Sequence, residues 1–289
     1  MLTYIANAKI NLMLDIVGRR DDGYHLLSMI MQSVSLHDVI TVEKTATDDL
    51  TLSCNDATVP CDDRNLIIKA AKVFFAESGI KFEGLHFNLT KNIPSQAGLG
   101  GGSADAAATL RALNRLYAFP LSDEKLLAIA LRLGADVPFC LLGGTYLAEG
   151  IGEILSPLPS MADCGIVIVK PPFGSSTVEA YRLADTCSFP HPSAKPVADA
   201  LASGDLPALS DSLGNAFQSI LANSEIERIC ADLKTFGALG SSMTGSGTAV
   251  YGIFPTFETA AACAEILSGK GEKCFVCSPV TSGWEELTD

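Results

Sequence analysis

At 289 residues the chain can bury one large core or two modest ones, and the usual domain size favours two. With 20 Lys and Arg against 33 Asp and Glu the formal net charge is -13, which excludes a sequence-independent grip on nucleic acid, so a phosphorylated ligand must meet local positive groups. No apolar run approaches a membrane span, the opening MLTYIANAKINL resembles neither a signal nor a transit peptide, and the nine scattered cysteines do not suggest a disulfide framework; a soluble cytoplasmic protein with reduced thiols is expected.

From Lys9 the chain alternates. Ile10, Leu12, Leu14 and Ile16 point one way and Lys9, Asn11, Met13 and Asp15 the other, as in a half-buried strand. Its polar face sets a cation and an amide two residues apart, a solvated face unless other residues bring phosphate chemistry beside it. A charged turn, Arg19 to Gly23, delivers Tyr24 and His25, which can stack on a flat ring and bond its edge, or simply anchor a loop. Strands are predicted at Asp38 to Glu43 and Leu50 to Cys54. Asn65 precedes an apolar pattern at helical spacing (Leu66, Ile67, Ala70, Ala71, Phe74, Phe75), predicting an amphipathic helix that ends near Gly79.

Leu85, Phe87 and Leu89 alternate with polar residues in a strand that runs into PSQAGLGGGSADAAAT, Pro94 to Thr109. Gly98, Gly100, Gly101 and Gly102 stand before Ser103 and an alanine-rich helical run, so bare backbone leads into a helix start. Such a loop can surround a phosphate with N–H groups, or it can be only a tight turn. A Cβ at Gly101 is expected to block backbone approach to the ligand. The stretch lacks the GK[ST] of a P-loop, and Ser103 stands where the dinucleotide fingerprint asks for Gly or Ala.

Beyond the loop, a helix carrying Leu110, Leu113, Leu116 and Tyr117 should end by Pro120, and another spans Glu124 to Leu133. In Ala135 to Cys140 (ADVPFC) the Asp136 carboxylate is either a cap for the next helix or a functional group held out of bulk water. Pro157 and Pro159 bracket the best boundary, dividing the chain into 1–158 and 159–289. A buried strand is predicted at Gly165 to Lys170, then a short helix introduced by Ser176 and Thr177 and carrying Tyr181. Phe189 to Pro196 should be a proline-broken loop with a solvent-facing His191, followed by helices at Ser210 to Leu221 and Ser224 to Thr235. A second small-residue loop, Leu239 to Gly247, feeds a strand from Thr248 to Phe254; a helix from Thr256 to Leu267 and a strand from Glu272 to Cys277 close the pattern, with Cys274 and Cys277 as core residues. Without a steady βαβ period, the class is α+β.

Three collinear stretches, AKINLMLDIVGRRDDGYHLL, IPSQAGLGGGSADAAATLRALN and GSSMTGSGTAVYGIF, resemble the three motifs of the GHMP small-molecule kinases. GYHLL, RNLIIKAAKVF, GADVPFC and KPPFGSSTVEAY are similar to one branch, whose acceptor is a cytidyl diphosphate of a branched sugar alcohol on the non-mevalonate route to isoprenoid precursors. The resemblance implies a two-domain fold, an N-terminal nucleotide domain like the second domain of ribosomal protein S5 and a C-terminal ferredoxin-like α/β sandwich. It implies transfer of the ATP γ-phosphoryl group to a tertiary hydroxyl with Mg²⁺, and a monomer or weak homodimer.

Residue by residue, the resemblance implies that Asp136 accepts the hydroxyl proton, that Lys9 orients that carboxylate, and that Asn11 positions the acceptor. Pro94, Gly98, Leu99, Gly100, Gly101, Gly102 and Ser103 would wrap the ATP phosphates, Ser103 nearest the metal, with Asn65 and Lys91 near the adenine. Tyr24 and Tyr181 would sandwich the cytosine, His25 would read its edge, and Thr177 would touch the same substrate. Departures are the Asn215-Ala-Phe-Gln218 stretch, where a more acidic NDLE-like run is expected, Ser95-Gln96 before the loop, and Asp105, awkward beside phosphates unless it faces metal or solvent. The rivals are a GHMP kinase for another small alcohol, such as homoserine or mevalonate, and a non-catalytic nucleotide-binding module.

Overall fold

The computed structural model describes residues 1–288. Two long strands open the chain, β1 (Leu2–Arg19) and β2 (His25–Lys44). They are followed by β3 (Leu50–Cys54), α1 (Leu66–Ser78), β4 (Leu85–Thr90), α2 (Gly101–Leu116), α3 (Asp123–Leu133), α4 (Val137–Leu142) and the hairpin of β5 (Thr145–Gly150) with β6 (Ile154–Pro157). The second half comprises β7 (Gly165–Lys170), α5 (Thr177–Ala184), α6 (Ala194–Ser203), α7 (Leu206–Asp211), β8 (Gly214–Asn215), α8 (Ala216–Leu221) and α9 (Ser224–Thr235). It ends with β9 (Gly240–Met243), β10 (Val250–Phe254), α10 (Phe257–Gly269), β11 (Lys273–Cys277) and β12 (Trp284–Leu287).

The first sheet runs β12-β1-β2-β4-β3, with β5, β6 and β8 attached to it; two of its strands, β8 and β12, come from the second half of the chain. The second sheet runs β11-β7-β10-β9, all antiparallel, which is fourth-first-third-second among its own strands and matches the expected ferredoxin-like layer. The class is α+β, as the sequence suggested. Among the described residues no helix is long and apolar enough to cross a membrane, and all nine cysteines are free thiols.

Helix boundaries follow their caps. Asn65 accepts a hydrogen bond from Ile67 N at 2.9 Å to start α1, and Gly79 ends it in the left-handed region at φ +68°. Helix α2 is lined with small residues; Ala104, Ala106, Ala107, Ala108 and Ala112 are fully buried, so its axis can lie close to the strands and helices around it.

The structure departs from the sequence reading in several places. The strand through Lys9 is buried on both faces from Ala6 to Ile16, because the second half of the chain covers the face expected to be solvated. The predicted helix over Ser210 to Leu221 is broken at Gly214 and Asn215, which pair in parallel with Met13 and Leu14. A Cβ at Gly214 would lie 2.7 Å from Pro192 Cβ, and Asn215 accepts from Phe217 N at 2.9 Å to start α8 afresh. Phe189 to Pro196 is not all loop: α6 begins at Ala194, with Pro196 in its first turn where no N–H is needed. Although His191 is exposed, its Nδ1 lies 3.0 Å from the buried Asp15 carboxylate.

Candidate active site

Strand β1 carries the first group of functional side chains. A register shift in its pairing with β2 falls between Asn11 and Met13, where β1 meets the second glycine loop. Asn11 is fully buried, and its Oδ1 accepts from Lys9 Nζ at 2.7 Å, Gly245 N at 3.0 Å and Thr244 Oγ1 at 3.3 Å. Its backbone is held as well, N donating to Thr244 Oγ1 and O accepting from Tyr251 OH. Asn11 lines the main cavity, yet its amide oxygen serves the protein, fastening Lys9 to the second glycine loop.

Lys9 is almost wholly buried, with Nζ 3.7 Å from Asp136 Oδ2. Asp136 sits at the N-cap position of α4 but makes no capping hydrogen bond, so the structural alternative raised by the sequence does not account for it. Its carboxylate is 31% exposed and lines the cavity. An ammonium facing one side of a carboxylate and open space on the other is an arrangement that leaves the carboxylate free to take a proton from a bound hydroxyl.

The first glycine loop is tied down on both sides. Lys9 N donates to Leu99 O at 3.0 Å, Ala249 N to Ala97 O at 3.1 Å, and Thr244 Oγ1 to Gly98 O at 3.2 Å. Gly98 and Gly100 are left-handed, at φ +76° and +68°, as only glycine adopts readily. The loop stands between two cavities. One of about 890 Å³ is lined by Lys9, Asp136, Ser103, Tyr24, His25 and Tyr181, and one of about 590 Å³ by Asn65, Lys91 and the outer side of the loop from Pro94. Gly98 and Gly100 line both.

On the smaller cavity, Asn65 and Lys91 are in place but engaged. Asn65 Nδ2 donates to Pro60 O at 2.7 Å while its oxygen caps α1. The Lys91 ammonium is buried between Asp38 and Asp105, with Nζ 2.9 Å from Asp105 Oδ2, and Asp38 Oδ1 also accepts from Asn92 N at 2.6 Å and Ile93 N at 2.8 Å. Burial opposes the Lys91 charge, but Asp105 and Asp38 outweigh it and its pKa is raised. Asp105 is likewise raised, first by burial and against the pull of Lys91, and its Oδ1 has no partner. Asp105 is almost wholly buried at the edge of the smaller cavity and belongs to an ion cluster under the loop, since Lys91 Nζ lies 2.9 Å from a Cβ built at Gly101.

Ser103 lies in the first turn of α2, and its hydroxyl makes no hydrogen bond among the described residues. Those residues contain no cluster of three His, Cys, Asp or Glu side chains that could hold a metal ion. The open Ser103 hydroxyl and the Asp136 carboxylate are groups on the larger cavity that could contact a cation carried on phosphate oxygens, the usual habit of Mg²⁺.

At the far end of the larger cavity, the half-buried Tyr181 packs edge-on to Phe217 at 4.9 Å and stacks on His25 at 4.7 Å with 21° between the rings. Burial and then the Asp136 charge push its hydroxyl pKa up to about 12, so the ring senses the carboxylate. Tyr24 is 61% exposed at the mouth, and no stacking with Tyr181 is present. Thr177 Oγ1 lies 2.9 Å from Ser246 Oγ, joining α5 to the second glycine loop.

Sequence reasoning missed several cavity residues. Asp185 belongs to no recognisable pattern, Phe217 stands within the Asn215 to Gln218 departure with no role assigned by it, and Arg19 reads only as part of a charged turn. Within the Asn215 to Gln218 stretch the structure explains the glutamine, and nothing in it explains Ala216 in place of an acid. Asn215 Nδ2 donates to Met243 O at 2.7 Å and Gly245 O at 2.9 Å, and Gln218 Oε1 accepts from Met243 N at 2.8 Å, so glutamine keeps the acceptor an acid would have offered. Asn215→Asp should set a carboxylate against two carbonyls, costing about 1–3 kcal/mol of stability. Turnover should fall as well, because Gly245 bonds Asn11; an unchanged melting temperature and rate would remove Asn215 from the support of this loop.

The family "GHMP kinases N terminal domain" matches residues 65–144, and "GHMP kinases C terminal" matches 197–273. A 4-diphosphocytidyl-2-C-methyl-D-erythritol kinase of Clostridium beijerinckii is 43% identical over 274 residues, 94% of this chain and 97% of the relative. A crystal structure of 4-(cytidine 5'-diphospho)-2C-methyl-D-erythritol kinase, 31% identical, superposes with a TM-score of 0.78 over 96% of this chain and 98% of that one. A homoserine kinase from Cytophaga hutchinsonii, at 18% identity and a TM-score of 0.77, covers 99% and 97% of the two chains and shares the fold.

Proposed function

This chain belongs to the 4-diphosphocytidyl-2-C-methyl-D-erythritol kinase family of GHMP kinases, and on that premise we propose that it transfers the γ-phosphoryl group of ATP to the 2-hydroxyl of that cytidyl substrate. The product lies on the non-mevalonate route to isoprenoid precursors, a cytoplasmic pathway step. The observation that carries the assignment of roles is the position of the glycine loop, with Gly98 and Gly100 lining both cavities, so that donor and acceptor meet across it.

In this reading the smaller cavity takes the adenosine end of ATP, with Asn65 shaping its wall through Pro60 and Lys91 supporting the loop from below. The backbone from Gly98 to Ser103, ending at the start of α2, offers N–H groups and the helix dipole to the phosphates. Lys9 faces the transferred group and Asp136 together. Asp136 accepts the proton of the acceptor hydroxyl, and Lys9 offsets negative charge as that oxygen attacks. A loose phosphoryl-transfer transition state asks more for alignment and charge stabilisation than for a strong base, so an aspartate serves. Mg²⁺, when bound, would neutralise charge on the phosphate oxygens, and Ser103, whose hydroxyl is unengaged, would be the protein group that contacts it.

The cytidyl end lies at Tyr24, His25 and Tyr181, with Thr177 beside it and Asn11 acting through Lys9 and Gly245. Binding at that end is used to place a distant hydroxyl at Asp136. The division at 158 and 159 belongs to this reading, with the acceptor held between the two parts. Tyr181→Ala should raise the acceptor KM by about 10-fold or more, the usual worth of base–aromatic stacking, while the KM for ATP stays within error. Equal losses for both substrates would refute the stacking role.

A further inference from the structure

The acceptor end of the cavity holds an acid that belongs to none of the motifs. His25, at the start of β2, has Nε2 2.8 Å from Asp185 Oδ1, and Asp185 Oδ2 is 3.2 Å from Arg19 Nη1. Asp185 caps the C-terminus of α5, four residues beyond Tyr181, so the aromatic and the acid share one helix face. The imidazole is gripped from two directions, its ring stacked on Tyr181 and its Nε2 bonded by the acid. Arg19 also donates from Nε to Gly23 O at 3.2 Å, fixing the turn that leads into Tyr24 and His25.

An ionised carboxylate can only accept hydrogen bonds. Asp185 is held in that state, its pKa lowered first by the hydrogen bond from His25 and, against the cost of burial, by the neighbouring Arg19 guanidinium. The ring hydrogen therefore sits on Nε2, and in the neutral imidazole Nδ1 keeps a bare lone pair. Among the described residues Nδ1 has no hydrogen-bond partner, and His25 lines the cavity.

We propose that Asp185 is a specificity-determining positioning residue: by holding His25 in its Nε2–H form, it leaves Nδ1 as an acceptor that pairs with the exocyclic amine of a cytosine and rejects the carbonyl that a uracil presents there. The proposal rests on the reading that the cytidyl end binds at Tyr24, His25 and Tyr181. An amine satisfies the lone pair, whereas a carbonyl sets two acceptors face to face, and each loses its water without a replacement. A bland alternative is an ordinary surface ion pair of little energetic consequence. The two differ in what they do to base preference.

The test uses the full chain with saturating ATP and compares kcat/KM for the cytidyl acceptor and its uridyl counterpart in wild type, Asp185→Asn and Asp185→Leu. Asp185→Leu removes the acceptor for Nε2–H and should cut the cytidyl-over-uridyl preference by about 10-fold, chiefly through KM, with kcat for the cytidyl acceptor and the KM for ATP unchanged. Asp185→Asn retains a carbonyl oxygen and should keep most of the preference. Nitrogen-15 NMR of the His25 ring gives a readout independent of turnover and of the variants: wild type should show a protonated Nε2 and a bare Nδ1. A selective wild type whose preference survives in Asp185→Leu, or a wild-type ring with a bare Nε2, overturns the proposal alone. A wild type indifferent to the base overturns the cytidyl assignment of this pocket, and the proposal with it.

Discussion

Asp136→Asn should lower kcat by on the order of 10²-fold or more, a barrier increase of about 2.7 kcal/mol, while ATP binds as before. Asparagine preserves the shape and removes the negative charge and the proton-accepting oxygen. The fold gives no reason for collapse, because Asp136 makes no capping hydrogen bond and its carboxylate is partly exposed. Lys9 loses a partner at 3.7 Å but keeps Asn11 Oδ1 at 2.7 Å, so the ammonium stays in place. The smaller cavity, proposed for the nucleotide, lies across the glycine loop and does not have Asp136 among its lining residues. Steady-state turnover with nucleotide titration by calorimetry separates the two effects. Near-normal kcat would take Asp136 out of the proton transfer; a parallel loss of ATP affinity would mean that it supports the loop instead.

Gly98→Ala should abolish measurable ATP binding and turnover together. The residue sits at φ +76°, where a side chain costs about 1–2 kcal/mol, and its Cβ would lie 2.1 Å from the Thr244 carbonyl oxygen. That carbonyl cannot easily retreat, because Thr244 N donates to Ala249 O at 3.0 Å and its hydroxyl bonds Asn11 and Gly98. The loop itself must move, and with it the backbone shared by both cavities. Gly269→Ala is the matched control: it lies in α10, away from both cavities, and its Cβ would meet nothing within 4 Å. ATP affinity should survive there. If Gly98→Ala binds ATP like wild type, the loop is a turn and not a phosphate cradle.

The glycine cluster shows how far sequence reasoning reaches. That bare backbone before a helix can hold phosphate was legible in Gly98 to Ser103, and so were Lys9 and Asp136 as candidate partners. What each glycine avoids was not. A Cβ at Gly101 was expected to obstruct the ligand, yet in the fold it would press on Lys91 Nζ at 2.9 Å and Ile93 Cγ2 at 3.0 Å, beneath the loop. The same limit applies to Asn11 and Asp105, whose roles depend on contacts more than 200 residues away for the first and on a buried cation for the second.

Helices with clean caps and periodic faces, such as α1 and α9, could be read locally because their signals are local. The strands were harder. Alternation at Lys9 to Ile16 suggested a solvated face, but tertiary packing covers it. Strand β12 carries little pattern of its own and is defined by pairing with β1, through Thr3 with Leu287 and Ala6 with Trp284. Likewise the break at Gly214 and Asn215 comes from a parallel bridge to β1 that no local propensity announces.

This protein phosphorylates a cytidyl diphosphate sugar alcohol with ATP. ATP consumption by the full chain with Mg²⁺, measured with 4-diphosphocytidyl-2-C-methyl-D-erythritol, with homoserine and with mevalonate, tests it directly. Turnover should require the cytidyl acceptor and stop when Mg²⁺ is removed. Equal turnover with an acceptor that has no cytidine, or none with the cytidyl substrate, would contradict the account.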